Sequence, residues 1–106
     1  MQAIHTDRAP AALGPYSQAV LHDNMLFVSG QLGIDPVSGE LAPDFASQAA
    51  LVFANLQAIL EAAGFGFAHV VKVSVFLKDF NNFAALNEIY ARYFSAPCPA
   101  RETVEV

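Results

Sequence analysis

Val70 Val71 Lys72 Val73 Ser74 Val75 Phe76 Leu77 Lys78 is the clearest strand pattern in the chain. Val71, Val73, Val75 and Leu77 alternate with Lys72, Ser74, Phe76 and Lys78, a period of two that a strand turns into two distinct faces. The valine face asks for cover by helices. The opposite face, where Phe76 stands among Lys72, Ser74 and Lys78, is neither a dry core nor a plain solvent face, and it suits a sheet that packs against another subunit.

Working outward from that strand, a helix is expected on each side. Upstream, Asp44 is a cap, and apolar positions 45, 49, 52, 53, 56, 59, 60 and 63 recur at helical spacing until Gly64. Gln48, Asn55, Gln57 and Glu61 read as the wet side of this helix. Downstream, Asp79 caps a second helix to about Phe94, with Phe83, Leu86, Tyr90 and Phe94 along its inner stripe. Asn87 falls on that stripe too. A buried amide must find partners, so Asn87 reads first as a clamp on a nearby loop and second as a direct ligand contact.

Nearer the N-terminus, Gly14 Pro15 breaks the chain and aims Tyr16. Ala19 to His22 and Met25 to Ser29 read as a β-hairpin, since Asp23 and Asn24 tolerate the positive φ of a tight turn. Gly30 follows, either as a bulge or as a point where a ligand or another strand approaches the backbone closely. Ile34 to Leu41 carries turn residues and reads as a surface loop. At the other end, Pro97 and Pro99 close off the second helix, and Arg101 Glu102 Thr103 Val104 Glu105 Val106 is extended. The order strand, strand, helix, strand, helix, strand predicts an α+β domain over residues 1–106. It would be a mixed β-sheet with βαβ-like crossovers and two helices packed on one face.

Composition narrows the function. Of 106 residues 55% are apolar and only 14% charged, so much of the surface must be apolar or covered by a partner, which points to an oligomer. A net charge of −5 with five Lys and Arg scattered along the chain opposes nucleic-acid binding. His5, His22 and His69 stand apart from any metal-ligand spacing, so no metal is expected. Cys98 lies between prolines without a base beside it and reads as a structural thiol. The chain shows no signal segment and no apolar run approaching the roughly 18 residues that span a bilayer, so a cytoplasmic setting without membrane contact is expected.

Arg101 is the one residue whose chemistry stands out. Its planar fork matches a carboxylate in bidentate fashion, so a fixed Arg101 would read a small acid. A surface ion pair with Glu102 or Glu105 is the commoner fate of such a residue, and both readings stand on the sequence.

Taken together, Gly14 Pro15 Tyr16 Ser17 Gln18 Ala19, then Ser29 Gly30 Gln31, then Val75 Phe76 Leu77 Lys78 Asp79, and finally Pro99 Ala100 Arg101 with Thr103 Val104 Glu105 Val106, resemble the Rid (YjgF) family of reactive-intermediate deaminases. The likeness spans essentially the whole chain, with its motifs in the family's order and at similar spacing. It implies a chorismate-mutase-like fold, a homotrimer with active sites in the clefts between subunits, and hydrolysis of 2-iminobutanoate and 2-iminopropanoate to 2-oxo acids and ammonia. By resemblance Arg101 binds the substrate carboxylate, the Gly30 backbone lies at the same pocket, and Tyr16 and Asn87 line the cleft; the catalytic candidates in this chain are Arg101, Tyr16 and Thr103. No cofactor is implied, because an imine is already electrophilic and needs only a positioned water and a proton source.

Two departures from the family pattern bear on this reading. Thr103 stands where the archetypal deaminases carry cysteine. Family members also continue through a further strand whose glutamate positions the water, whereas this sequence ends at Val106; the expectation is that the natural polypeptide continues and supplies that carboxylate. Glu105 is a poor substitute, about 13 Å along the strand from Arg101 at roughly 3.3 Å per residue. A non-catalytic binder of small 2-oxo or amino acids, using the same cleft, is the alternative. A ribonuclease of the kind described for some relatives is opposed by the acidic charge.

Overall fold

A computed structural model of the protein describes all 106 residues. Its contacts divide the chain into two compact units, Met1–Phe65 and Gly66–Val106.

The first unit is a three-stranded antiparallel sheet, β1 (Gln2–Ile4), β2 (Ala19–His22) and β3 (Met25–Val28), with helix α1 (Phe45–Ala62). Strands β2 and β3 form the expected hairpin, pairing His22 with Met25, and Asp23 and Asn24 adopt φ of 49° and 62° in the turn. These are the left-handed values that a two-residue turn of this twist requires. β1 is an addition to the sequence reading, too short to show a period. Its register places Ile4 opposite Ala19, and Ala19 faces Val28. Ile4 and Ala19, backed by Leu21, Leu26 and Val28, pack with Ala58 and Ile59 of α1 to make the core.

Helix α1 begins and ends as its sequence dictates. Asp44 accepts a hydrogen bond from the Ser47 amide at 2.8 Å, satisfying one of the orphan donors of the first turn. At the other end Gly64 takes φ of 81°; its N–H reaches the Glu61 carbonyl and that of Phe65 reaches Leu60, so the last carbonyls are also paired. The polar side differs from expectation. Gln57 and Glu61 are exposed, but Asn55 is 1% exposed and donates through Nδ2 to the carbonyls of Leu32 at 3.3 Å and Ile34 at 3.0 Å. Periodicity places Asn55 on the wet face, yet the loop folds over that face and hands it two acceptors. Gly33 of the same loop lies so close to the helix that a Cβ there would fall 2.4 Å from the Gln48 Cα. By length and composition alone the 18 residues of α1 are apolar enough to cross a membrane, a test that the core helix of a soluble domain passes as well, and Ala58 and Ile59 of this helix lie in the core.

The second unit pairs β4 (Lys72–Leu77) with β5 (Ala100–Glu105) in parallel, from Lys72 opposite Ala100 to Leu77 opposite Glu105. Parallel strands require a crossover, and α2 (Phe83–Tyr90), entered through a 3₁₀ turn over Phe80–Asn82, lies within it. Asp79 caps this entry by accepting from the Asn81 amide at 2.9 Å. The helix is shorter than the expected run to Phe94. Beyond Tyr90 the amides of Arg92 and Tyr93 bond three residues back, to Ile89 and Tyr90, and the chain leaves the α-helical path, although Leu86, Tyr90 and Phe94 are all buried. Within β4 the alternation holds, with Val73, Val75 and Leu77 shielded and Lys72, Ser74 and Phe76 exposed, but Val71, just before the strand, is exposed and does not extend the shielded row.

The mixed sheet with both helices on one face is therefore corrected. There are two sheets, one antiparallel and one parallel, and each unit carries its own helix. Alternation identifies strands and their faces but contains nothing about which strand edges pair, which is where the expectation failed.

Two outcomes are expected from this architecture. Asn55→Ala takes the side-chain donor from the Ile34 carbonyl, and the longer of two donors from the Leu32 carbonyl, which keeps the Ile34 amide; it should cost about 1–3 kcal/mol in chemical denaturation, with an unchanged midpoint counting against the clamp. On the exposed face of the parallel pair, Glu102 accepts from Ser74 Oγ at 2.6 Å and lies 3.8 Å from Lys72 Nζ, which together hold its carboxyl below the usual range. This stabilisation is present above the unfolded pKa and is lost as pH falls through the depressed folded value. Ser74→Ala should raise the Glu102 pKa toward the ordinary carboxylate range in an NMR titration.

Candidate functional site

The site in the second unit is organised by the alternation of β5. Arg101 and Thr103 are half-buried on one face, and Ala100, Glu102 and Val104 are exposed on the other. Neither glutamate pairs with Arg101. Glu102 points across the strand to Ser74 and Lys72, and Glu105 accepts from the Phe80 amide at 2.9 Å, capping the entry to α2. The surface ion pair that the sequence allowed is absent. Arg101 has no carboxylate within salt-bridge distance and no hydrogen bond from its fork.

Aromatic faces surround the guanidinium instead. Its Cζ lies 4.9 Å from the centroid of the Tyr90 ring and 5.5 Å from that of Phe83, both within the range of a cation–π attraction. Phe83 and Tyr90 are two turns apart on α2 and so share a face. Burial raises the Tyr90 phenol above its ordinary pKa; the positive charge of Arg101 acts in the opposite direction, and Cys98 adds to the rise.

Thr103 stands two residues along the same face, roughly 6.6 Å from Arg101 by the rise of a strand. Its Oγ1 is buried without a hydrogen-bond partner in the chain. Asn87 is placed differently from the sequence reading. It does lie between Phe83 and Tyr90 in helical spacing, but it is exposed and clamps no loop with its amide. The stripe it belongs to emerges from cover toward the start of α2, where Phe83 itself is 36% exposed.

Tyr16 and Gly30 belong to the first unit, where both line a hollow of about 350 Å³ together with Gln18, Gln31, Leu32 and Ile34. Tyr16 is exposed, and its hydroxyl accepts from the Leu13 amide at 3.4 Å. Gly30 sits past the end of the β2–β3 ladder, which closes with Ser29 donating to the Gln18 carbonyl, so the bulge reading falls away. A Cβ at Gly30 would meet nothing within 4 Å, leaving its backbone open to approach. The structure thus brings Arg101, Thr103 and Asn87 into one unit and Tyr16 with Gly30 into the other.

Sequence reasoning missed Gln18. It is 3% exposed, and its Nε2 donates to the carbonyls of Thr6, Ala9 and Pro10 at 3.0, 3.3 and 2.9 Å while its Oε1 accepts from the Thr6 amide at 2.8 Å. This one side chain fixes the lead that runs into the Tyr16 wall. Its place in the Gly14 to Ala19 motif, next to a Pro-bearing segment with few partners of its own, was the sequence signal, but no role was attached to it.

The chain is similar to known proteins along nearly its whole length. The family described as Endoribonuclease L-PSP matches residues 6–106. A RutC family protein of Pyrococcus horikoshii is 50% identical over 106 residues, covering 99% of this chain and 84% of the relative. A Capra hircus protein named 2-iminobutanoate/2-iminopropanoate deaminase is 49% identical over 104 residues, covering 97% and 76%. Among solved structures, RidA from the Antarctic bacterium Psychrobacter sp. superposes with a TM-score of 0.96 at 51% identity, covering all of this chain and 86% of that one. On sequence and fold together, the chain belongs to the Rid (YjgF/RutC) family.

Proposed function

We propose that the protein is a 2-iminobutanoate/2-iminopropanoate deaminase, hydrolysing small 2-imino acids to 2-oxo acids and ammonia. The observation that carries this reading is Arg101: a half-buried arginine on a strand, with its fork unpaired while both neighbouring glutamates are engaged elsewhere. An arginine in that state offers two parallel donors to a carboxylate of the right size. The deaminase name of a relative of about half-identical sequence supports the reaction class.

In this reading Arg101 holds the substrate carboxylate and fixes the adjacent imine carbon. Water adds to that carbon, the nitrogen takes up a proton, and the resulting carbinolamine collapses to the 2-oxo acid with release of ammonia. Thr103 lies on the same face with an unsatisfied hydroxyl, suited to hold the water. Asn87 is available from α2 as a substrate contact. Tyr16 and Gly30 enter as cleft-lining positions of a homotrimer, through resemblance to the family. The alternative is a binder of 2-oxo or amino acids without turnover, and it draws on the fact that neither glutamate of β5 shares the face of Arg101 in a free state. Ribonuclease action, which the family description suggests, is opposed by the net charge of −5.

Generating 2-aminoacrylate in situ and timing pyruvate formation separates the two readings, since a binder leaves the uncatalysed rate unchanged. Arg101→Lys keeps the charge but loses the bidentate geometry, and a charge-assisted pair is worth about 1.5–3 kcal/mol. Turnover should therefore drop by at least about tenfold in kcat/KM. An unchanged value would remove Arg101 as the anchor. For the trimer, the exposed face bearing Lys72, Ser74 and Phe76, with Val104 beside them, is the proposed contact. Sedimentation at micromolar concentration should show the trimer, and a stable monomer would reject it.

A further inference from the structure

The cation–π contacts raise a question that the carboxylate reading leaves open: what keeps an arginine without any ion-pair partner in one place. Arg101 carries a long stem, and immobilising a side chain of that kind costs rotamer entropy. A free fork would spread over many rotamers and bind a small acid weakly. Here the Cζ is close to two ring centroids at once, 4.9 Å for Tyr90 and 5.5 Å for Phe83.

The rings are themselves held. Tyr90 is 8% exposed and packs against Phe94 with centroids 4.5 Å apart; Phe94 in turn meets Phe67 edge-on at 5.4 Å, and Phe67 lies 5.3 Å from Tyr93. Phe83 rests 5.7 Å from Phe80, whose amide is bound by the Glu105 carboxylate at the far end of β5. The strand that carries the arginine thus also pins the turn that presents the second ring. An aromatic face attracts a guanidinium without supplying a carboxylate to close the fork, so the rings can hold the group in place while its donors stay open.

We infer that Phe83 and Tyr90 are positioning residues which seat the Arg101 guanidinium and pre-orient its fork for bidentate capture of a small planar carboxylate. The inference deepens the proposed function and rests on Arg101 as the carboxylate anchor. It assigns affinity for the acid to two side chains that need not touch it. The seat also explains why an ammonium would serve poorly here, since it has no plane for the rings to orient.

The test is binding of 2-oxobutanoate, measured by calorimetry, beside its neutral analogue 2-oxobutanamide. Phe83→Leu and Tyr90→Leu should each weaken the acid by about twofold to thirtyfold, the range that a cation–π contact spans from exposed to desolvated settings. The amide should be affected little, and Tyr90→Phe should keep the wild-type affinity because it keeps the ring. In an Arg101→Lys background the Phe83→Leu change should have almost no further effect. If 2-imino acids are turned over, the leucine variants should raise KM with kcat nearly constant.

A ligand-free readout accompanies this. The Arg101 Nε–H resonance should be displaced by the ring currents relative to Arg8 and Arg92, and the displacement should shrink in Phe83→Leu. Should Tyr90→Leu fail to fold, Phe83→Leu, at a partly exposed site, decides the matter. Equal weakening of acid and amide, or unchanged acid affinity in a folded Phe83→Leu, overturns the seat. A wild-type protein that binds no 2-oxobutanoate overturns the anchor on which it rests, an outcome distinct from either.

Discussion

The parallel pairing of β4 with β5 is the constraint from which the rest of the second unit follows. Two parallel strands cannot be joined by a tight turn, so the chain between them must travel the length of the sheet and return, and α2 is what makes the return. The register then decides the chemistry. Val73 stands opposite Arg101 and Val75 opposite Thr103, which puts both site residues on the shielded side of the strand. A slip of one residue would carry Arg101 to the open face and bring Glu102 into the aromatic seat. Glu105 guards against loosening by binding the amide at the start of the crossover.

Charge is distributed with the same economy. In a protein with so few ionisable groups, the polar contacts on the exposed face of the parallel pair are satisfied among themselves by Ser74, Lys72 and Glu102. Arg101 is left apart, compensated for its partial burial by ring faces in place of a counter-ion. A carboxylate neighbour would have neutralised it and closed the fork. An aromatic neighbour offsets part of the desolvation cost and leaves the donors available.

Much of this could be read in the sequence. The alternation of Val73, Val75 and Leu77 gave the strand and its faces, Asp23 with Asn24 gave the hairpin, and Asp44 with Gly64 bracketed α1, because each of these signals is local to a few residues. The parts that escaped are those decided by distant partners. Asn55 has the periodicity of a wet position, and only the fold of a loop more than twenty residues upstream buries it. Asn87 has the periodicity of a core position, yet it is exposed while the adjacent Leu86 is buried, so the covered face of α2 lies to the Leu86 side of the expected stripe. The division into two sheets depends on edge pairing, which alternation does not encode. For Arg101, the sequence left anchor and ion pair side by side, and the ion pair drops out because of where Glu102 and Glu105 spend their acceptors.

The clamping of the Leu32–Ile34 loop onto α1 has a consequence for how this family of structures can diversify. Gly33 rides directly on the helix backbone at Gln48, and Asn55, two helical turns further on, grips the carbonyls on either side of it. The wall of the hollow in the first unit is therefore shaped by main chain that the helix holds from behind. The side chains decorating that wall carry little of the load, and Leu32 and Val37 stand largely in solvent. Frame and lining are separate inheritances. Substitution at Leu32 or Val37 would change that lining while Gly33 and Asn55 keep the backbone in place, so the shape of this corner and the chemistry of its surface can be varied independently.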